Sequence, residues 1–229
     1  MTTLHIDFVS DVSCPWCAIG LHGLLHALQQ LNGEVKATLN FLPFELNPDM
    51  PPGGQDITEH LTQKYGSTPA QQAQIRETIR ERGAEVGFAF SPDGRGRIYN
   101  TFHAHRLLMW AGEQGTAQQL LLKQLLLKAC HSERQAMDDR QVLLTCAGQA
   151  GLDLHEAEAV LNDGRYAEEV RDAEAMVAEA GIRAVPAVVI NRRHLISGGQ
   201  PVANYVAALQ QIAAQGDSEG EAEGGSTGP

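Results

Sequence analysis

Apolar residues alternate with polar ones near both ends of the chain and recur at helical spacing through its middle. Leu4, Ile6 and Phe8 mark a strand over Leu4–Val9, and Val35, Ala37, Leu39 and Phe41 alternate with Lys36, Thr38 and Asn40 as a half-buried strand does. Between them Leu21, Leu24, Leu25, Leu28 and Leu31 form one helical face, closed by Asn32 and Gly33. This order predicts a β-α-β unit with parallel strands and a right-handed crossover.

Pro43, Pro48, Pro51, Pro52, Gly53 and Gly54 then rule out both a helix and a central strand. Beyond them the spacing predicts helices over 56–65, 69–86, 99–114, 116–130, 138–150 and 154–162, with no strand-like alternation among them. Leu120, Leu121, Leu122, Leu125, Leu126 and Leu127 make one of these helices apolar around most of its circumference, which places it centrally. From Tyr166, the stripe Val170, Ala173, Val177 and Ala180 predicts a further helix ended by Gly181. Ala187–Ile190 has the continuous apolar character of a doubly buried strand, Leu195 and Ile196 return beside it, and Pro201 opens a last helix carrying Val202, Tyr205, Val206, Leu209 and Ile212.

Removing the helical block leaves β-α-β followed by α-β-β-α. The expected organisation is therefore a discontinuous α/β domain, residues 1–55 and 165–215, interrupted by an all-helical insertion over 56–164. Residues 216–229 hold Asp217, Glu219, Glu221 and Glu223 among Gly and Ser and lack large apolar side chains, so a disordered tail is expected there. A chain of 229 residues builds such a core without covalent staples.

Charge narrows the function. Seventeen basic against 28 acidic residues give a net charge of −11, which argues against a nucleic-acid or anionic-membrane surface. No apolar run approaches the length of a membrane span, and no basic and apolar leader opens the sequence. With four cysteines, two of them in one motif, a cytoplasmic location and transient rather than structural disulfides are expected.

That motif is Cys14-Pro15-Trp16-Cys17, at the junction of the first strand and first helix. Unpaired backbone N–H groups and the helix dipole favour an anion there, so Cys14 is the candidate nucleophile and Cys17, one turn along, the resolving thiol. Pro15 suits the first helical position and Trp16 is costly to bury without an N–H partner, so an exposed turn is expected. Neither offers the strong hydrogen bond to sulfur that histidine would, which implies a less oxidising pair than a histidine-containing turn.

Rival readings have less to rest on. Structural zinc needs four ligands, yet Cys130 and Cys146 lie far away and form no close pair, and His103 and His105 lack ligand spacing. No metal is therefore expected. His22 and His26 share a helical face without an evident third ligand and read as solvated, whereas Cys130 and Cys146 extend apolar stripes and read as core thiols. His105 and Arg106 fit a substrate groove or simple packing equally well.

Four segments carry a family resemblance: DVSCPWCAIG at 11–20, PFELNPDMPPGG at 43–54, RIYNTFHAHRLLMWA at 97–111 and GIRAVPAVVINRRHLISGGQP at 181–201. Together they make the chain similar to the DsbA family of thiol–disulfide oxidoreductases, in its FrnE-like branch. The resemblance implies a thioredoxin-like fold with a helical insertion, a redox pair at Cys14 and Cys17, and a cis proline at Pro186. It also implies that the Val185 backbone, with Pro15 and Trp16, meets an extended substrate. Ala18 stands where an aromatic is common, His103 where an acid is common and Gly199 where alanine is common, and these departures bear on substrate preference.

The function expected is exchange with protein or small-molecule thiols and disulfides, as monomer or homodimer, with no bound cofactor and with glutathione as a redox co-substrate. A glutathione-dependent isomerase or transferase related to 2-hydroxychromene-2-carboxylate isomerase is the alternative. Those relatives commonly carry serine at the position of Cys14. A third reading is a binding module in which the cysteines are incidental.

Overall fold

The computed structural model describes residues 2–223, with side chains described as far as residue 215. Strand β1 (Thr2–Ser10) runs parallel to β2 (Val35–Pro43), from the pair Thr2 and Val35 to the pair Ser10 and Pro43, and α1 (Pro15–Gln30) makes the crossover. On its other edge β1 pairs antiparallel with β5 (Ala187–Ile190), which turns back through Asn191–Arg193 into β6 (His194–Ser197). The sheet order is β2-β1-β5-β6. β1 is the central strand; Leu4, Ile6 and Phe8 are buried on one of its faces and Val9 on the other, where His5 nearer the start of the strand is exposed.

The intervening segment carries α2 (Ile57–Tyr65), α3 (Pro69–Glu85), α4 (Phe102–Gln114), α5 (Thr116–His131), α6 (Arg140–Gln149) and α7 (Leu154–Asp163). Short polar side chains set several starts. Asp56 accepts from the Glu59 amide at 3.0 Å, Asp153 from the Glu156 amide at 2.9 Å, and Thr68 and Gln71 form a reciprocal capping box. Helix α4 begins at Phe102 rather than 99, because Asn100 turns back to accept from the Phe102 amide at 2.9 Å.

The segment is not wholly helical. Gln55–Asp56 (β3) and Arg97–Ile98 (β4) pair antiparallel at its base, a ladder too short to leave any alternation in the sequence. Arg97 fastens it by donating to the carbonyls of Gly53 and Gly54, each at 2.8 Å. Gly54 adopts φ +66°, and a Cβ there would meet the Ile98 carbonyl oxygen at 2.1 Å. Only glycine fits this crossing.

Two apolar cores meet along α5. Leu127 packs with β1, α1 and the last helix, α9 (Val202–Glu223), whereas Leu122, Leu126 and Cys130 pack with α4, α6 and α7. An apolar circumference thus serves two clusters at once. Helix α8 (Ala167–Glu179) covers the opposite sheet face with Val177, against Val9 and Ala187. The expected tail over 216–229 falls where side chains, and from 224 the backbone, lie outside the described residues.

Candidate functional site

Cys14 is the N-cap of α1, with φ −92° and ψ 114°, and Pro15 opens the helix where a missing N–H costs nothing. Its amide donates to the Asp11 carbonyl at 3.1 Å and its carbonyl accepts from the Cys17 amide at 3.1 Å. Both thiols are free. The expected exposure of this turn is corrected: Cys14 is 4% exposed and Cys17 fully buried, while Pro15 and Trp16 are half-buried. A second loop lies over the sulfur, since the Cys14 thiol points at the Val185 carbonyl oxygen 3.7 Å away. The Val185–Pro186 peptide of that loop is cis.

The two thiols are driven apart in acidity. A hydrogen bond from the Cys17 thiol, with support from the amides of Cys17 and Trp16, lowers the Cys14 pKa against the opposing effects of burial and the Asp11 charge. Burial, reinforced by the neighbouring Cys14 sulfur, raises Cys17 well above an ordinary thiol. Chemically this is one sulfur prepared to act as a nucleophile and one held as a proton-bearing partner a turn below.

Four residues absent from the sequence reading surround this turn. Asp11 is buried and accepts from the Ser13 amide at 3.0 Å and the Leu46 amide at 2.8 Å. Burial works to raise its pKa, but His105, with those amides, holds it below the usual carboxylate value. Lys123 reaches in from α5 and is 1% exposed; burial lowers its pKa, and the Cys17, Asp11 and Cys14 charges oppose that. His131 donates through Nε2 to the Val12 carbonyl at 3.0 Å, and Arg95 donates through Nη1 to the Ser13 hydroxyl at 3.0 Å. The inserted segment therefore grips residues 11–14 through several of its own side chains. Lys123 had a visible signal, a charge amid the apolar leucines of α5, and Asp11 lies in the quoted 11–20 segment.

The remaining candidates separate. His105 belongs to the site, with Nε2 3.6 Å from Asp11 Oδ1. Arg106 does not: buried, it donates to the carbonyls of Val160 and Arg165, the latter at 2.8 Å, and ties α4 to the turn after α7. Cys130 and Cys146 sit in the second core. His22 and His26 are half-buried rather than solvated, His22 stacking edge-on against Phe88 with centroids 5.1 Å apart. Among the described residues no group of three or more His, Cys, Asp or Glu side chains is placed to hold a metal ion.

With this geometry in hand, the sequence profile of the DSBA-like thioredoxin domain matches residues 5–210. A crystal structure from Streptomyces coelicolor, described as a probable DsbA oxidoreductase, superposes with a TM-score of 0.80 at 31% identity, covering 99% of this chain and 92% of that one. A 2-hydroxychromene-2-carboxylate isomerase gives 0.68 at 14% identity, covering 93% and 98%. The cytosolic disulfide reductase DsbM from Pseudomonas aeruginosa, solved with glutathione, gives 0.60 at 19% identity, covering 92% and 98%. The last two likenesses speak to the fold.

Proposed function

The chain belongs to the DSBA-like thioredoxin domain family, and from that premise we propose that it is a thiol–disulfide oxidoreductase working through Cys14 and Cys17. The observation that carries the reading is geometric: two free thiols one turn apart at the N-terminus of α1, with the Cys14 sulfur 3.7 Å from the Val185 carbonyl oxygen of the cis-proline loop. Cys14 thiolate attacks a substrate disulfide, one substrate sulfur leaves as thiolate, and a mixed disulfide forms. Cys17 then loses its proton, attacks the Cys14 sulfur and expels the second substrate thiolate. The substrate gains two electrons and the protein holds a Cys14–Cys17 disulfide. Run backwards, the same steps oxidise a dithiol.

Val185 and Pro186 provide the recognition edge, with an extended substrate segment pairing to main chain beside Cys14, and Pro15 and Trp16 flank it. Protein or small-molecule thiols and disulfides are the substrates, and glutathione is the co-substrate that recycles the pair. A cytoplasmic location and a place in the FrnE-like branch suit this chemistry; no described helix is long and apolar enough to cross a membrane. Residues 1–55 and 165–215 form the catalytic unit and 56–164 the insertion that supports it. The isomerase reading shares the fold but gives no task to the buried second thiol.

Insulin reduction driven by dithiothreitol tests the assignment. Cys14→Ser abolishes turnover, and Cys17→Ser accumulates a mixed disulfide visible by intact mass. Undiminished turnover in both variants overturns the proposal. Glutathione-dependent isomerisation of a conjugated substrate that survives Cys17→Ser transfers the assignment to the isomerase class.

A further inference from the structure

We propose that the cleft lined by Arg95, Arg97, Tyr99, Cys130, Glu133 and Arg134 binds a carboxylate of a small thiol, with glutathione as its type, and holds it beside the dithiol turn. The inference rests on the dithiol reading and adds a site to it.

The cleft encloses about 410 Å³, within the range of small-molecule sites. Three guanidinium groups face one carboxylate in a chain whose net charge is −11, so the local field opposes that of the molecule. That carboxylate, Glu133, is already paired with Lys128 at 3.0 Å. Among the described residues neither Arg95 nor Arg97 has an acidic partner: Arg97 donates to the Gly53 and Gly54 carbonyls, and Arg95 to the Ser13 hydroxyl. Arg134 has only a long 3.5 Å contact with exposed Asp93. Neutral partners fix the direction of a guanidinium without consuming its charge, which is how a carboxylate receptor is built.

Position gives the site its chemical class. Arg95 Nη1 bridges Ser13, the residue before Cys14, and the Cys130 sulfur on the cleft wall, the latter at 3.6 Å. Burial raises the Cys130 pKa against the Arg95 charge and hydrogen bond, with smaller contributions in the same direction as burial from Asp11 and Cys14. An anion seated here meets the guanidinium that holds Ser13, one residue from the reacting sulfur. A ligand that uses both features carries a carboxylate and a thiol in one small molecule. In the oxidised protein one glutathione thiolate attacks Cys14 and displaces the Cys17 thiolate, which takes up a proton. A second glutathione attacks the mixed disulfide and releases glutathione disulfide and the Cys14 thiolate. Two glutathiones lose two electrons and the protein pair gains them.

Arg134→Gln tests the site. Arg134 sits at φ +60°, and glutamine asks the same of the backbone. In a coupled glutathione reductase assay, KM for glutathione rises roughly tenfold, the size of one charged hydrogen bond, while kcat and dithiothreitol-driven insulin reduction hold. Glutathione diethyl ester shows the same raised KM with the wild-type protein. Calorimetry with S-methylglutathione, which cannot exchange disulfides, reads the cleft independently of the thiols and detects binding to Cys14→Ser that Arg134→Gln weakens. Binding insensitive to Arg134→Gln and to esterification overturns the cleft assignment even when turnover requires Cys14. Loss of the Cys14 requirement with binding intact overturns the dithiol reading instead. Inorganic phosphate displacing S-methylglutathione at equal concentration marks a general anion site and overturns the thiol-carboxylate class.

Discussion

Asp11 Oδ1 and His105 Nε2 lie 3.6 Å apart, both side chains buried at the end of β1. The separation is just beyond a hydrogen bond, and Nε2 has no other hydrogen-bond partner. That carboxylate works against the Cys14 thiolate. Asp11→Asn removes the charge and retains an acceptor for one of the two amides it caps. Alkylation of Cys14 by iodoacetamide, followed against pH, then has its midpoint at lower pH than in the wild type, while stability falls by about 1–3 kcal/mol for the amide left unpaired. A midpoint displaced to higher pH contradicts this placement of Asp11.

Lys123 acts on the other sulfur. Its charge is the leading influence that lowers the Cys17 pKa against burial. Lys123→Met keeps the stem of the side chain and drops the charge, so Cys17 becomes still harder to ionise and the mixed disulfide at Cys14 lives longer. The substitution removes the cost of desolvating the ammonium and, with it, the attraction of the buried Asp11 charge, so the two changes in stability offset each other. Quenched-flow trapping of the mixed disulfide, with a thermal melt of the same protein, reads both. An unchanged resolution rate with a lower Tm assigns Lys123 to packing alone.

Much of this arrangement is legible in periodicity. β1, α1, β2 and β5 are local patterns, since an apolar residue's spacing declares which face it buries before any partner is known. The grip on residues 11–14 is not local: Arg95, His105, Lys123 and His131 come from distant positions, and only the folded chain brings them together. The burial of Cys14 escaped for the same reason, because the Val185 loop that covers it arrives 171 residues later. The β3–β4 ladder escaped because two residues carry no period.

Gly199 touches the dithiol turn from the far side. A Cβ built on it lies 3.0 Å from the Trp16 carbonyl oxygen and 3.5 Å from the Gly20 amide, both backbone atoms of α1. Exchanging glycine for alanine ordinarily gains about 0.4–1 kcal/mol by restricting the unfolded chain. Overpacking against a backbone that cannot swing aside costs about 1–3 kcal/mol and outweighs that gain. Gly199→Ala therefore lowers Tm by about 2–4 °C and slows insulin reduction, because the carbonyl that must yield belongs to the residue between the two thiols. A raised Tm with unchanged turnover shows that the helix accommodates the methyl.

His131 sets the acid limb of stability. It is fully buried, and burial, aided by the nearby Arg95 and Lys123 charges, holds its pKa well below 6.5 although the Val12 carbonyl and Asp11 pull the other way. In the unfolded chain the same imidazole binds a proton below about pH 6.5, so on acidification the unfolded state takes up a proton that the folded state refuses. Stability contributed by the neutral ring is thus intact above pH 6.5 and declines as pH falls, by at most about 1.4 kcal/mol per pH unit. Half-buried His22, also depressed by burial, adds to the slope in the same direction. Asp11, whose folded pKa lies below the ordinary carboxylate value, adds a separate loss that begins only near pH 4. His131→Gln keeps a donor for the Val12 carbonyl and removes the titration. Urea unfolding at pH 7, 6 and 5 then gives a shallower decline in the variant than in the wild type. Equal slopes between pH 7 and pH 5 would mean that His131 is protonated in the folded protein, and that the Val12 carbonyl accepts from an imidazolium.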